Sequence, residues 1–195
     1  KNRPIIEHLI LNLKKQGFYE IVISLHYKSN LIKKHLGNGE KYGLKIEYIN
    51  EEKPLGTAGC LYFLNSHTQD LIVINSDVVT ELDYKKLINF HKKYKSDLTI
   101  STKVHNIKNP YGVINSKKTK FLSLIEKPDH ITNINAGIYV ISKNILQTMK
   151  RKRKIDMTDL IKSNYQKGAN IRCYNFSENW IEFGTIDKFQ KFINQ

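Results

Sequence analysis

Asn75-Ser76-Asp77 follows directly on 71–74, the most apolar run of the chain. In open α/β sheets, ligands sit in the crevice at the carboxyl ends of the strands. An aspartate there presents a hard oxygen donor of the kind that holds Mg²⁺ between substrate phosphates. Asp77 reads equally as a turn cap, because Asp is common in such loops. A second carboxylate, Glu182 in Trp180-Ile181-Glu182-Phe183-Gly184-Thr185, either joins the first on one cation or is an ordinary surface glutamate. The stretch 54–59, Pro-Leu-Gly-Thr-Ala-Gly, flanks Thr57 with two glycines just ahead of a helix. Glycine lets backbone approach a flat ligand, and a helix start offers free N–H groups. A plain loop with Thr57 as N-cap has the same composition. In Glu126-Lys127-Pro128, Lys127 is either a point charge for a phosphate or a solvated lysine. In Asn135-Ala136-Gly137, Asn135 offers a donor and an acceptor to sugar hydroxyls, or serves a turn. The seven histidines show no metal-ligand spacing, and His8 and His91 on helices read as structural.

The elements that must position these groups alternate. Helix patterns cover 4–13 (with Gly17 as its stop), 29–36, 57–64, 83–94, 145–149, 157–166 and 186–193. Strand patterns cover 20–25, 44–49, 71–74, 98–104, 135–141 and 171–176, and 111–115 with 121–126 read as a hairpin. The apolar run 71–74 is expected at the sheet centre. Strands linked by helices predict a parallel, doubly wound sheet, and the hairpin makes it mixed. No linker divides the chain, so 1–195 reads as a single domain.

With 40% hydrophobic and 26% charged residues over 195 positions, the composition is that of an ordinary globular domain. No run is long and apolar enough for a transmembrane helix, and no signal-peptide pattern opens the chain. Cys60 and Cys173 are too few for a disulfide framework and read as buried small hydrophobes in a reducing cytoplasm. The net charge of +14 favours polyanionic ligands by steering. Only four of the 32 basic residues are Arg, which argues against a dedicated nucleic-acid reader. The basic run 150–154 reads as a solvated loop, with an acidic-surface or nucleic-acid contact as the other reading.

Singly these signals are weak, but their order is specific. Gly56-Thr57-Ala58-Gly59, Asn75-Ser76-Asp77, Tyr111-Gly112-Val113-Ile114, Glu126-Lys127-Pro128, Asn135-Ala136-Gly137-Ile138-Tyr139 and Trp180-Ile181-Glu182-Phe183-Gly184-Thr185 together resemble the sugar-phosphate nucleotidyltransferases, or NDP-sugar pyrophosphorylases. The stretch 48–59 looks most like the mannose-1-phosphate guanylyltransferase-like branch. The resemblance implies a Rossmann-like nucleotide-diphospho-sugar transferase fold, three-layer α/β/α with a mixed, mostly parallel central sheet. It implies transfer of a nucleotidyl group from an NTP, GTP favoured, to a sugar 1-phosphate in surface-glycan biosynthesis. By the same resemblance Asp77 and Glu182 hold Mg²⁺, and Lys127 acts with them in catalysis on the sugar phosphate. Gly56, Thr57 and Asn75 fall on the nucleotide side, and Glu126, Asn135 and Gly137 on the sugar side. The implied partners are NTP and sugar 1-phosphate, without nucleic acid or membrane insertion, and compatible with a homo-oligomer.

The chain departs from the family pattern in three places. Ser76 stands where Gly is usual, and Glu182 where Asp is usual. The Gly-rich loop that normally precedes the segment resembled by 1–4 is absent, so the first strand and phosphate loop are expected to be missing from this domain. A non-catalytic, regulatory or nucleotide-sugar-binding relative of the same fold is the alternative reading. A glycosyltransferase of related fold is disfavoured because Asn75-Ser76-Asp77 is not an Asp-x-Asp motif.

Overall fold

The computed structural model describes residues 3–184. The expected final helix, 186–193, and Thr185 lie outside the described residues. In chain order the elements are α1 (Ile5–Lys15), β1 (Glu20–Leu25), α2 (Ser29–Leu36), β2 (Lys45–Asn50), α3 (Gly56–Gly59), β3 (Leu71–Ile74) and β4 (Val78–Thr80). They continue with α4 (Tyr84–Lys93), β5 (Leu98–Lys108), β6 (Val113–Lys117), β7 (Lys120–Ile125) and β8 (Asp129–Ile141). The last are α5 (Lys143–Thr148), α6 (Met157–Gln166), β9 (Ile171–Asn175) and β10 (Trp180–Glu182). A 3-10 turn at Cys60–Leu64 carries the chain on from α3.

The central sheet has the order β3-β8-β5-β9. β8 pairs antiparallel with both β3 and β5, and β5 pairs parallel with β9. Three of its four strands therefore run one way and β8 alone opposes them, which makes the sheet mixed and mostly parallel in direction. β1 and β2 form a separate parallel pair, β4 and β10 an antiparallel one, and β6–β7 a hairpin.

The layers follow from the two-residue period of β8. Ile138 and Val140 join Leu9 and Leu13 of α1 and Tyr84 and Leu87 of α4 in one cluster. Tyr139 and Ile141 face the other way, against Ala58, Leu61, Ile145, Leu146 and Leu160. Both faces of one strand are thus covered by helices, as three layers require. A third cluster packs Ile10 of α1 and Leu36 of α2 on Ile23, Leu25 and Ile46 of the β1–β2 pair. Ile6 and Ile21 border both the first and third clusters, so α1 spans the two sheets.

Three expectations are corrected. Among the described residues the run 71–74 is an outer strand and not the centre: β3 pairs on one side only, and all four of its side chains are half-buried. Its apolar sequence reflects burial between helix layers, which does not depend on its place in the strand order. Cys173 is exposed, and Cys60 is half-buried. Cys173 sits on β9, the outer strand of the sheet. The strands flanking the hairpin are also longer than expected. β5 runs on to Lys108 and β8 starts at Asp129, because each continues the other's ladder as an exposed ribbon.

His91 of α4 is buried against β5, with Nδ1 at 2.8 Å from Thr99 Oγ1 and Nε2 at 3.7 Å from Asp70. Burial is the main influence and holds its pKa below the ordinary 6.5, against the opposing pull of Asp70 and Asp97. The unfolded chain then takes up the proton more readily than the folded one. Stability should be full above pH ~6.5 and fall as pH drops from there toward the folded pKa. His91→Asn should flatten that part of the pH profile, read as the urea midpoint on either side of neutrality.

Candidate functional site

The β3–β4 turn carries Asn75 and Asp77, and three contacts gather other elements around it. Asn75 N–H donates to Gly137 O at 2.9 Å, joining the turn to β8. Phe183 N–H donates to Asp77 O at 2.9 Å, joining it to the end of β10. Trp180 Nε1–H donates to Ala136 O at 2.9 Å, joining β10 to β8. In the β4–β10 ladder Glu182 stands opposite Val78, the neighbour of Asp77. Two strands of three residues each thus bring both carboxylates to one end of the sheet. Asp77 and Glu182 are each half-buried. Lys103 reinforces the arrangement, its ammonium donating to Ser177 O and Glu178 O just before β10.

Gly137 is required twice. Its φ is +71°, and a Cβ there would lie 2.8 Å from Asn75 Nδ2. Asn135, in the irregular stretch of the β5–β8 ladder, donates from Nδ2 to Tyr139 O–H at 2.7 Å and accepts the Gly137 N–H at 3.1 Å. Burial raises the Tyr139 pKa, so the phenol stays neutral as the acceptor. Asn135 therefore shapes the backbone at Gly137 with both ends of its amide.

Gly56 and Thr57 belong to a second network. Thr57 N–H donates to Asp156 Oδ1 at 3.1 Å, and Met157 N–H donates to Thr57 Oγ1 at 2.8 Å. Asp156 precedes α6 as its N-cap residue but makes no side-chain bond to that helix. The two helix starts have exchanged caps: Asp156 serves α3 and Thr57 serves α6. Around this exchange Ile155 N–H donates to Leu55 O at 2.9 Å, and Ala58 N–H to Ile155 O at 3.0 Å. On the other side Glu51 accepts Leu55 N–H at 2.8 Å and the Ser24 hydroxyl at 2.6 Å. Loop 55–58 is held from both flanks.

Glu126 and Lys127 lie in the exposed turn between β7 and β8. A Cβ on Gly112 would meet Glu126 Oε2 at 2.8 Å, so the carboxylate rests on that glycine. Lys127 has φ +44°, a left-handed backbone in a non-glycine residue. Such a conformation is unfavourable by about 1 kcal/mol or more, and it clusters at ligand sites. The structure thus draws Asn75, Asp77, Gly137 and Glu182 together, with Asn135 supporting Gly137. Gly56, Thr57, Glu126 and Lys127 stand on separate elements outside that network.

Lys103 and Asp156 fall outside every motif read from the sequence, and Glu51 lies in stretch 48–59 with no role of its own there. The backbone N–H that Asp156 accepts belongs to Thr57, 99 residues away, a separation no local pattern reports. Among the described residues no group of three or more His, Cys, Asp or Glu side chains is placed to hold a metal ion. Nor is any helix there long and apolar enough to cross a membrane.

Comparison with known proteins gives a consistent outcome. The nucleotidyl transferase family model matches residues 1–195. D-glycero-alpha-D-manno-heptose 1-phosphate guanylyltransferase of Aneurinibacillus thermoaerophilus is 28% identical over 197 residues, covering 97% of this chain and 84% of that protein. The mannose-1-phosphate guanylyltransferase catalytic subunit beta of Dictyostelium discoideum is 34% identical over 196 residues, but the chain spans only 54% of its length. The crystal structure of HddC from Yersinia pseudotuberculosis complexed with GMP-PN superposes with a TM-score of 0.73 at 26% identity, covering 97% of this chain and 84% of that one. With the ordered motifs on one α/β scaffold and the family model matching from end to end, the chain belongs to the nucleotidyl transferase family.

Proposed function

We propose that the chain is the catalytic domain of a sugar-1-phosphate guanylyltransferase, converting GTP and a manno-configured sugar 1-phosphate to a GDP-sugar and pyrophosphate. The observation that carries this reading is the placement of Asp77 and Glu182 at one end of the sheet by the β4–β10 ladder. The names of the relatives support the base and the sugar configuration: mannose and manno-heptose share it, and both proteins are guanylyltransferases.

The half-buried carboxylates of Asp77, in the β3–β4 turn, and Glu182, on β10, are hard oxygen donors of the kind that would hold a divalent cation. We assign Mg²⁺ to them, and when bound it neutralises charge on the reacting phosphates. A phosphate oxygen of the sugar 1-phosphate forms the new bond to the α-phosphorus of GTP. The bond from that phosphorus to the β-phosphate oxygen breaks, and pyrophosphate leaves with its electron pair. No covalent enzyme intermediate is needed, so the residues act by position and charge. Lys127 holds the sugar phosphate, and Glu126, Asn135 and Gly137 border the sugar. Asn75 and loop 55–58, with Gly56 and Thr57, border the nucleotide. The Thr57 hydroxyl oxygen already accepts from Met157, leaving its proton to donate.

The domain organisation we propose is one nucleotidyltransferase domain whose first strand and phosphate loop lie upstream of residue 1. β1 and β3 each have an edge without a strand partner among the described residues, and both border the cluster under α1. A strand lying between them would deliver its carboxyl-end loop to the Asp77 end of the sheet. We place the reaction in the cytoplasm, with a homo-oligomer compatible with it.

The test is divalent-cation-dependent pyrophosphate release, with four NTPs against mannose, manno-heptose, glucosamine and glucose 1-phosphates. It is run on this chain and on a chain extended upstream through a Gly-rich loop. GTP with a manno-configured sugar should turn over fastest. Absence of turnover in the extended chain with every pair would refute the reading. Lys127→Ala should lower kcat/KM for the sugar phosphate by about a hundredfold while leaving nucleotide binding unchanged. An equal loss in nucleotide affinity would move Lys127 to the other substrate.

A further inference from the structure

A cavity of about 260 Å³ lies between the end of α5 and the flank of α6, away from the Asp77 network. Four cations line it, Lys150, Arg151, Arg153 and Lys167, around an apolar floor that includes Ile155 and Leu160. Among the described residues no carboxylate lines it. Lysine is common everywhere in this chain, so lysines alone would carry little weight. Arginine is scarce, with four in 195 residues, and two of the four are here. Its planar fork holds phosphate oxygens in pairs, which an ammonium does not.

The local backbone sorts these side chains. Segment 152–156 is neither helix nor strand, and its residues divide between two sides. Arg151, Arg153 and Ile155 face the cavity, while Lys152 reaches Glu52 at 3.7 Å and lies over the Phe63 ring. The carboxylate nearest in sequence to the arginines is thus absent from the cavity rim: Asp156 is spent on Thr57 N–H. On the cavity wall Ser163 Oγ and Asn164 Nδ2 both donate to Leu160 O, within α6.

The same segment is the rail on which loop 55–58 is mounted. Ile155 exchanges backbone hydrogen bonds with Leu55 and Ala58. A Cβ on Gly59 would lie 2.8 Å from Arg153 O, so loop and rail touch with no space between them. We propose that this cavity binds a compact phosphate-bearing metabolite, and that its occupation orders loop 55–58 through the rail at 153–156. The anion site stands on its own residues. Its effect on nucleotide binding rests on the assignment of loop 55–58 proposed above.

Inorganic pyrophosphate is the probe, titrated by calorimetry in chelator, where any cation-dependent binding at Asp77 is suppressed. The whole chain should bind it, and Arg151→Gln/Arg153→Gln should bind at least about tenfold more weakly. Asp77→Asn/Lys127→Ala should bind as the parent does. Amide hydrogen exchange at 55–58 should slow on saturation in the parent and not in the double arginine variant. Both arginines are exposed, and an unchanged melting curve establishes that the variant is folded. Equal affinity in parent and arginine variant overturns the site, as does loss of binding in Asp77→Asn/Lys127→Ala. Binding no tighter than to an equivalent length of heparin, with a steep fall in salt, makes it a non-specific basic surface and also overturns it. Binding without slowed exchange overturns the coupling. Failure of the upstream-extended chain to bind GTP while pyrophosphate binding persists refutes the guanylyltransferase reading and leaves the anion site standing.

Discussion

Asp77→Asn is expected to lower pyrophosphate release about a thousandfold while leaving the melting temperature unchanged. The substitution keeps the shape of the side chain and removes the charge. What fixes the turn is the backbone: Phe183 N–H donates to Asp77 O, and Val78 N–H to Asn75 O. Neither bond needs the carboxylate. A loss of stability matching the loss of rate would show Asp77 to be a turn cap, the competing reading that its sequence position allows. Glu182→Gln should behave alike with a smaller loss. Restored activity in Glu182→Asp would show that one methylene of reach is tolerated at this end of β10.

Gly56→Ala is expected to be the most damaging single-methyl change at the loop, at about 3 kcal/mol of stability. For a chain of this size that is a fall of about 6–12 °C in melting temperature. Two independent causes add. The backbone sits at φ +77°, where a side chain is strained. The new Cβ would lie 2.5 Å from Asp156 Oδ1 and 2.6 Å from Ile155 O, and the second of these is backbone that has no room to move. Gly168→Ala is the matched control. Its φ is +84°, yet nothing lies within 4 Å of the added carbon. That variant should lose only the conformational part, about 1 kcal/mol. If the two variants melt together, the tight packing of loop 55–58 on the rail is wrong.

Much of the architecture was legible because it is encoded locally. The helices at Ser29–Leu36 and Met157–Gln166 and the strand at Glu20–Leu25 match their sequence patterns end to end. In each, the apolar spacing already specifies which face is buried. The candidate residues were legible through motif order, a property of the chain read as a line. The elements that assemble them were not. β4 and β10 have three residues each, too few for any period to show. They exist because they pair with each other across about a hundred residues. The helix expected at 57–64 is one α-helical turn continued as a 3-10 turn, because packing against Ile155 fixes only its start.

The sequence by itself determined the class of fold, the succession of helices and strands, and the residue types available for phosphate chemistry. These follow from periodicity, turn chemistry and motif order, all of which act between near neighbours along the chain. Only the tertiary structure decided that the most apolar strand has a single strand partner among the described residues, that Cys173 faces out, and that Thr57 and Asp156 exchange caps. It also placed two of the four arginines on one cavity. Each of these depends on which distant segment arrives alongside. That choice is made by burial and hydrogen-bond satisfaction over the whole molecule, and no local window of sequence contains it.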